Sequence, residues 1–358
     1  MNMKLKLLLQ SMGNPLLNSG KPINLIESNE LLQLAFKNNI ELEYLSKLKF
    51  YNCLDKLDSD YLKFTNRYSE TSDCIIRIVK ILDKNKIPYA ITKTLRPYPA
   101  TPNDSDILYL GALDNYKNTL KLLENDGLVR CGGSDMQAQF FDPEGGESFK
   151  RDKRGGRFYI DFYRELAADH VAYMDSNIIK NFVIFAKCKD TNINVFNPIA
   201  EIPILLLHSV IMHRTLPLEV FFTISYYLKS FNESDYDQLI LSFRKNHLVY
   251  VAKYYFKIMA YIFTVYYNEI PEEVETILGK LGIKSDKINF NKYSYDNFPY
   301  IIELKVFFIA LFEKTLDYNS LKGMFKQFGK MVISPRFFVE VLYHIFSKKR
   351  TIEHSEHV

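Results

Sequence analysis

The hydrophobic positions of this chain change period twice. From Ser28 to about Asn85 they recur at helical spacing, as Leu31, Leu32, Leu34 and Ala35, then Leu42, Tyr44, Leu45 and Leu48, then Ile75, Ile76, Ile78, Val79 and Leu82. Such spacing places one face of each helix on a core. After Lys86-Ile87-Pro88 the pattern shortens to strand-like runs divided by Gly, Pro and Asn, over residues 89–92, 107–110, 128–131, 136–141 and 158–163. One helix interrupts them, with Leu113, Tyr116, Leu120 and Leu123 on one face and Gly127 where its C-terminus needs a left-handed residue. Residues 182–188 and 193–196, on either side of Lys189-Asp190-Thr191-Asn192, read as a late hairpin. Beyond Pro198 the helical period returns over 201–214, 218–228, 235–245, 249–267, 271–281, 301–316, 321–328 and 336–346. The pattern predicts an α+β chain in three regions: helical over 1–85, a mixed α+β core over 86–200, and a helical bundle over 201–358.

Composition alters this picture little. With 47% hydrophobic and 25% charged residues, the 358-residue chain can bury a large core. Its 46 basic and 42 acidic residues leave a charge of +4, so a nucleic-acid partner requires local clustering of charge. Cys53, Cys74, Cys131 and Cys188 are far apart, with no CxxC and no His at zinc spacing, and read as buried free thiols of a reducing compartment. Met1 to Gly13 lacks the apolar core of an export signal, and no apolar run is long and uncharged enough to span a bilayer. A cytoplasmic protein without a membrane partner is expected.

Three carboxylates change the picture more. Asp104-Ser105-Asp106 runs straight into Ile107-Leu108-Tyr109-Leu110, so two carboxylates stand at the mouth of a predicted strand. Alternate strand residues face the same way, and a pair so placed can hold divalent cations that bridge a triphosphate. Two other triplets, Asp58-Ser59-Asp60 and Asp235-Tyr236-Asp237, lead into helices, where Asp serves the N-terminus. Asp161 interrupts the run Arg157 to Tyr163 and completes the expected site, helping to bind metal and taking a proton, with a salt bridge to Arg157 or Arg164 as the structural alternative. Upstream, Lys93, Thr94 and Arg96 end a strand and supply two cations and a hydroxyl for phosphate oxygens. The densest positive run, with Lys150, Arg151, Lys153, Arg154 and Arg157, is a candidate contact for the triphosphate or for an anionic acceptor such as RNA, or else a solvated loop. His208 and His213 share a predicted helix, but a spacing of five sets them apart around an α-helix, so zinc is not expected there. Glu201 and His208, seven apart, share a face, and His208 is a candidate acceptor contact or else a satisfied core histidine.

The order of strand, Lys-Thr turn, Asp-x-Asp and later hydrophobic-Asp-hydrophobic resembles the nucleotidyltransferase superfamily with the polymerase-β-like fold. More narrowly it resembles a group of nucleotidyltransferase-like proteins of unassigned substrate with helical flanks. Residues 31–39 resemble the group's early helix, and Asn197-Pro198-Ile199-Ala200-Glu201 to Leu207-His208 resembles its step from core to helices. The resemblance implies a mixed-sheet core, Mg²⁺ or Mn²⁺ held by Asp104, Asp106 and Asp161, and an NTP donor such as ATP. It implies transfer of a nucleoside monophosphate to an acceptor, whether small molecule, protein or RNA, with release of pyrophosphate. Lys93-Thr94 stands where the superfamily has Gly-Ser, which removes backbone freedom where phosphates approach. A catalytically silent nucleotide-binding or partner-binding protein on the same fold is the alternative that this departure favours.

Overall fold

The computed structural model describes residues 2–17, 22, 25–102, 104–134, 136–145, 158–168, 171–172, 174, 176–284, 288, 298–316, 320–322, 324–325 and 329. It is a mixed α+β structure. The chain divides into two compact units, one of Met1–Thr65, Arg96–Thr101 and Leu205–Ala310, the other of Asn66–Leu95, Pro102–Ile204 and Leu311–Val358. One division between the units falls after Thr65, inside the helix Asp58–Lys84. The expected helices over 321–328 and 336–346 lie in large part outside the described residues.

The first unit is helical. Its opening leucines are core: Leu5, Leu8 and Leu9 of the helix Met3–Met12 are fully buried, and the Asn2 carboxamide caps the helix by accepting from Leu5 N–H at 3.3 Å. Buried Asn38 ties this unit together. Its Oδ1 accepts from Leu218 N–H at 3.0 Å, and its Nδ2 donates to Leu34 O at 2.9 Å and Phe298 O at 3.3 Å. The triplet at 235–237 belongs to a capping box: Asn232 Oδ1 accepts from Asp235 N–H, and Asp235 Oδ2 accepts from Asn232 N–H. Asp237 pairs with Lys280 at 2.8 Å. Asp58 and Asp60 likewise lie in the first turn of the helix Asp58–Lys84. Only the triplet at 104–106 serves a strand.

The second unit is built on a mixed sheet of seven strands: β1 (Tyr89–Thr92), β2 (Asp104–Tyr109), β3 (Val129–Gly133), β4 (Gln137–Phe141), β5 (Tyr159–Tyr163), β6 (Val183–Cys188) and β7 (Thr191–Phe196). Their spatial order is β3-β4-β5-β2-β1-β7-β6. β2 runs parallel to β5 and β1 parallel to β7, while the other neighbours are antiparallel. Alternation sorts the side chains. Ile91, Ile107, Ala138, Phe140, Phe158, Ile160 and Phe162 join Ile75, Ile78, Val79 and Leu82 of one helix and Tyr116, Leu120 and Leu123 of another in a single core. The second of these helices, Tyr116–Asn125, ends as the sequence predicts: Gly127 takes φ +101°, Gly127 N–H donates to Glu124 O, and Leu128 N–H donates to Leu123 O. All four cysteines are free, but only Cys74 and Cys188 are buried; Cys131 is exposed on the edge strand β3, against the expectation of four buried thiols. Among the described residues no helix is long and apolar enough to cross a membrane.

Candidate functional site

β2 begins at Asp104, three residues before the apolar run that signals it, so both carboxylates lie within the strand rather than at its mouth. Asp104 and Asp106 therefore share the face opposite the core. The parallel register sets Asp106 directly across from Asp161, β1 sets Thr92 across from Asp106, and β4 sets Gln139 across from Asp161. One rung of the sheet thus reads Thr92, Asp106, Asp161, Gln139. These are four polar side chains in line across four strands, on the face opposite the core residues Ile91, Ile107, Ile160 and Phe140.

Each member of the rung has a partner. Gln139 Nε2 donates to Asp161 Oδ1 at 3.1 Å. Lys93 Nζ lies 2.9 Å from Asp106 Oδ1 and 5.2 Å from the centre of the Tyr163 ring, with the lysine side chain 4% exposed. Burial and the neighbouring charge of Asp106 push the Asp161 carboxyl up from 3.8 to about 6, against the opposing pull of Gln139 and Lys93. A carboxyl raised in the folded state holds its proton more tightly there than in the unfolded chain. It therefore favours folding fully below about pH 4, and this contribution is lost as pH rises through about 6. Asp161→Asn is expected to flatten that slope and to raise the melting temperature at pH 7 to 8. Thermal melts from pH 4 to 8 test this, and equal slopes in the two proteins would rule it out.

The turn after β1 is closed on itself. Lys93 takes φ +57°, a left-handed conformation natural to glycine and costly to lysine, so the backbone keeps the shape that a Gly here would allow. Its N–H donates to Glu201 Oε1 at 2.5 Å, and Thr92 Oγ1 donates to Glu201 Oε2 at 2.8 Å. Thr94 N–H and Thr94 Oγ1 both donate to Thr92 O, and Thr94 Oγ1 accepts from Asp106 N–H at 2.9 Å. The Thr94 groups expected to meet phosphate thus lock the turn to β2. The Lys93 ammonium, the remaining expected group of this turn, pairs with Asp106.

Glu201 is buried in the first turn of the helix Pro198–Leu207, where the helix dipole favours a carboxylate, and Asn197 opens that helix by accepting from Ala200 and Glu201 N–H. Its clamp on the turn could be read only by seeing that Asn197-Pro198 starts a helix beside β1. Gln139 escaped the sequence reading too, although a Gln alternating with Ala and Phe in a strand marks a polar face.

The other expected residues belong to the helical unit or lie outside the described residues. Arg96 belongs to the helical unit, where its Nε and Nη2 lie 2.7 and 2.5 Å from Glu219 Oε1. Glu219 stands in the first turn of the helix Leu218–Leu228. Lys150, Arg151, Lys153, Arg154 and Arg157 lie outside the described residues. His208 belongs to the helical unit and meets His213, Nε2 to Nε2 at 2.9 Å. The reason is local: His208–His213 is a π-helix, so the separation expected of an α-helix does not hold.

The carboxylates fit a hard divalent cation in kind. All are oxygen donors on one face, and Asp161 holds its proton more tightly than usual first because it is buried and then because Asp106 is beside it. Among the described residues, no three Asp, Glu, His or Cys side chains are gathered closely enough to form a ready-made metal cage. Asp106 faces the Lys93 ammonium instead. No protein-family model, no curated protein and no solved structure matches this chain.

Proposed function

We propose that the second unit is a nucleotidyl-transfer site of the polymerase-β-like kind, using Mg²⁺ and an NTP donor. The observation that carries this reading is the parallel pairing of β2 with β5, which opposes Asp106 to Asp161 and keeps Asp104 on the same face. Asp104, Asp106 and Asp161 are the residues that would hold metal, and a divalent cation there would neutralise the triphosphate. Asp161, more basic than an ordinary carboxylate, is the group suited to take a proton from an acceptor hydroxyl. Lys93, released from Asp106, would bring its ammonium to a phosphate oxygen. Gln139 holds Asp161 in place, and Thr94 holds Asp106 through its backbone N–H.

The Lys93–Asp106 pair supports a second reading, a catalytically silent nucleotide-binding protein in which the ammonium stands permanently where a cation would otherwise act. Calorimetry with ATP and Mg²⁺, followed by pyrophosphate release across small-molecule, protein and RNA acceptors, separates the two. The transfer reading expects binding and release, both lowered at least about tenfold in Asp104→Asn. Binding without release supports the silent protein, and absence of nucleotide binding removes both.

A further inference from the structure

The helix Pro198–Leu207 passes into a π-helix at His208–His213. In an α-helix five residues turn the chain through one full circuit and about 140° more, which would part His208 from His213. Closure at i+5 brings the second residue back nearly over the first. Here Arg214 N–H donates to Ser209 O, five residues back, and Arg214 ends the segment at φ +51°. The exit is fixed by packing: Ile302 N–H donates to Arg214 O at 2.8 Å, Arg214 Nη2 donates to Ile302 O at 3.3 Å, and the guanidinium lies 5.8 Å from the Phe307 ring centre. The two imidazoles meet edge to face, with centroids 4.6 Å apart and Nε2 atoms 2.9 Å apart.

We propose that His208 and His213 form a chelating pair for a divalent transition-metal ion. Two metal–nitrogen bonds of about 2.05 Å at a right angle separate their nitrogens by about 2.9 Å, whereas a tetrahedral angle separates them by about 3.3 Å. The Nε2 atoms, now joined by a hydrogen bond at 2.9 Å, are already near either separation, and among divalent ions imidazole pairs hold Cu²⁺ most tightly. Imidazole nitrogen suits such ions, and the sheet carboxylates suit Mg²⁺, so the two sites differ in chemistry. His213 is exposed to solvent and His208 partly so. When both Nε2 atoms bind, the ring that donated the shared hydrogen bond carries its proton on Nδ1 instead.

The test uses the full chain with His354→Gln and His357→Gln as background, so that the C-terminal histidines add no ligand. Titration with Cu²⁺ at micromolar metal is expected to show one site, and its electron paramagnetic resonance spectrum two coupled nitrogens. Ni²⁺ should bind with the same stoichiometry. Because His213 is exposed, His213→Gln is expected to fold as the parent does, as melting curves will show, while weakening Cu²⁺ binding at least about tenfold. No binding by the background protein, a single coupled nitrogen, or unchanged affinity in His213→Gln would each overturn the proposal.

Discussion

Asp106→Ala is expected to destabilise the protein by about 3–5 kcal/mol, the range for removing one partner of a buried ion pair. The Lys93 side chain is 4% exposed and that of Asp106 11%, and their charged atoms are 2.9 Å apart, so the lost carboxylate leaves an ammonium in a poorly solvated place. The pair's net worth is a different quantity, because desolvating both charges offsets much of their attraction. Lys93→Met with Asp106→Leu is therefore expected to be far more stable than Asp106→Ala and close to the parent. Urea unfolding of the parent, both single variants and the double variant completes the cycle. A double variant no more stable than Asp106→Ala would show that the pair does not set the stability here. The consequence for function is practical: loss of activity in Asp106→Ala mixes chemistry with unfolding, so Asp104→Asn is the cleaner probe of the site.

Glu201→Ala is expected to cost about 2–4 kcal/mol, since it removes the acceptor of both Lys93 N–H and the Thr92 hydroxyl within a buried turn. A hydroxyl can rotate to find another acceptor, but an amide cannot, so most of the loss belongs to Lys93 N–H. Glu201→Gln keeps one carbonyl oxygen and is expected to recover about half of the loss. Amide hydrogen exchange offers the sharper reading. The Lys93 amide should exchange faster by at least about tenfold in Glu201→Ala, while amides of the core face of β2 change little. Unchanged protection at Lys93 would mean that the turn holds its shape without the clamp.

Much of the sheet was legible because its strands obey simple alternation. Residues 89–92 were read as a strand and β1 is Tyr89–Thr92, and the Gly127 terminus followed from the left-handed position that ends a helix. Asp104 and Asp106 were legible as a pair facing one way, but β2's true start was not, because a polar Asp-Ser-Asp lacks the apolar residues that announce a strand. The rung itself was beyond the sequence. Register between β2 and β5, which are far apart in the chain, is decided by packing of the core face, and only that register puts Asp106 opposite Asp161. The π-helix at His208–His213 was hidden for a related reason: apolar spacing gives no sign of the change from i+4 to i+5 hydrogen bonding. Arg96 was assigned by proximity in sequence, whereas its partner Glu219 lies 123 residues away.

The left-handed lysine at the end of β1 carries one more consequence. A glycine in that place would leave a negative sheet face dependent on dissolved ions, but Lys93 furnishes an internal counter-ion that no dialysis removes. Folding of the sheet unit is thereby uncoupled from the magnesium supply, and a chelator such as EDTA should leave its melting temperature unchanged. Under the transfer reading, magnesium would have to displace a tethered ammonium from Asp106, so its binding should need a higher concentration in the parent than in Lys93→Met.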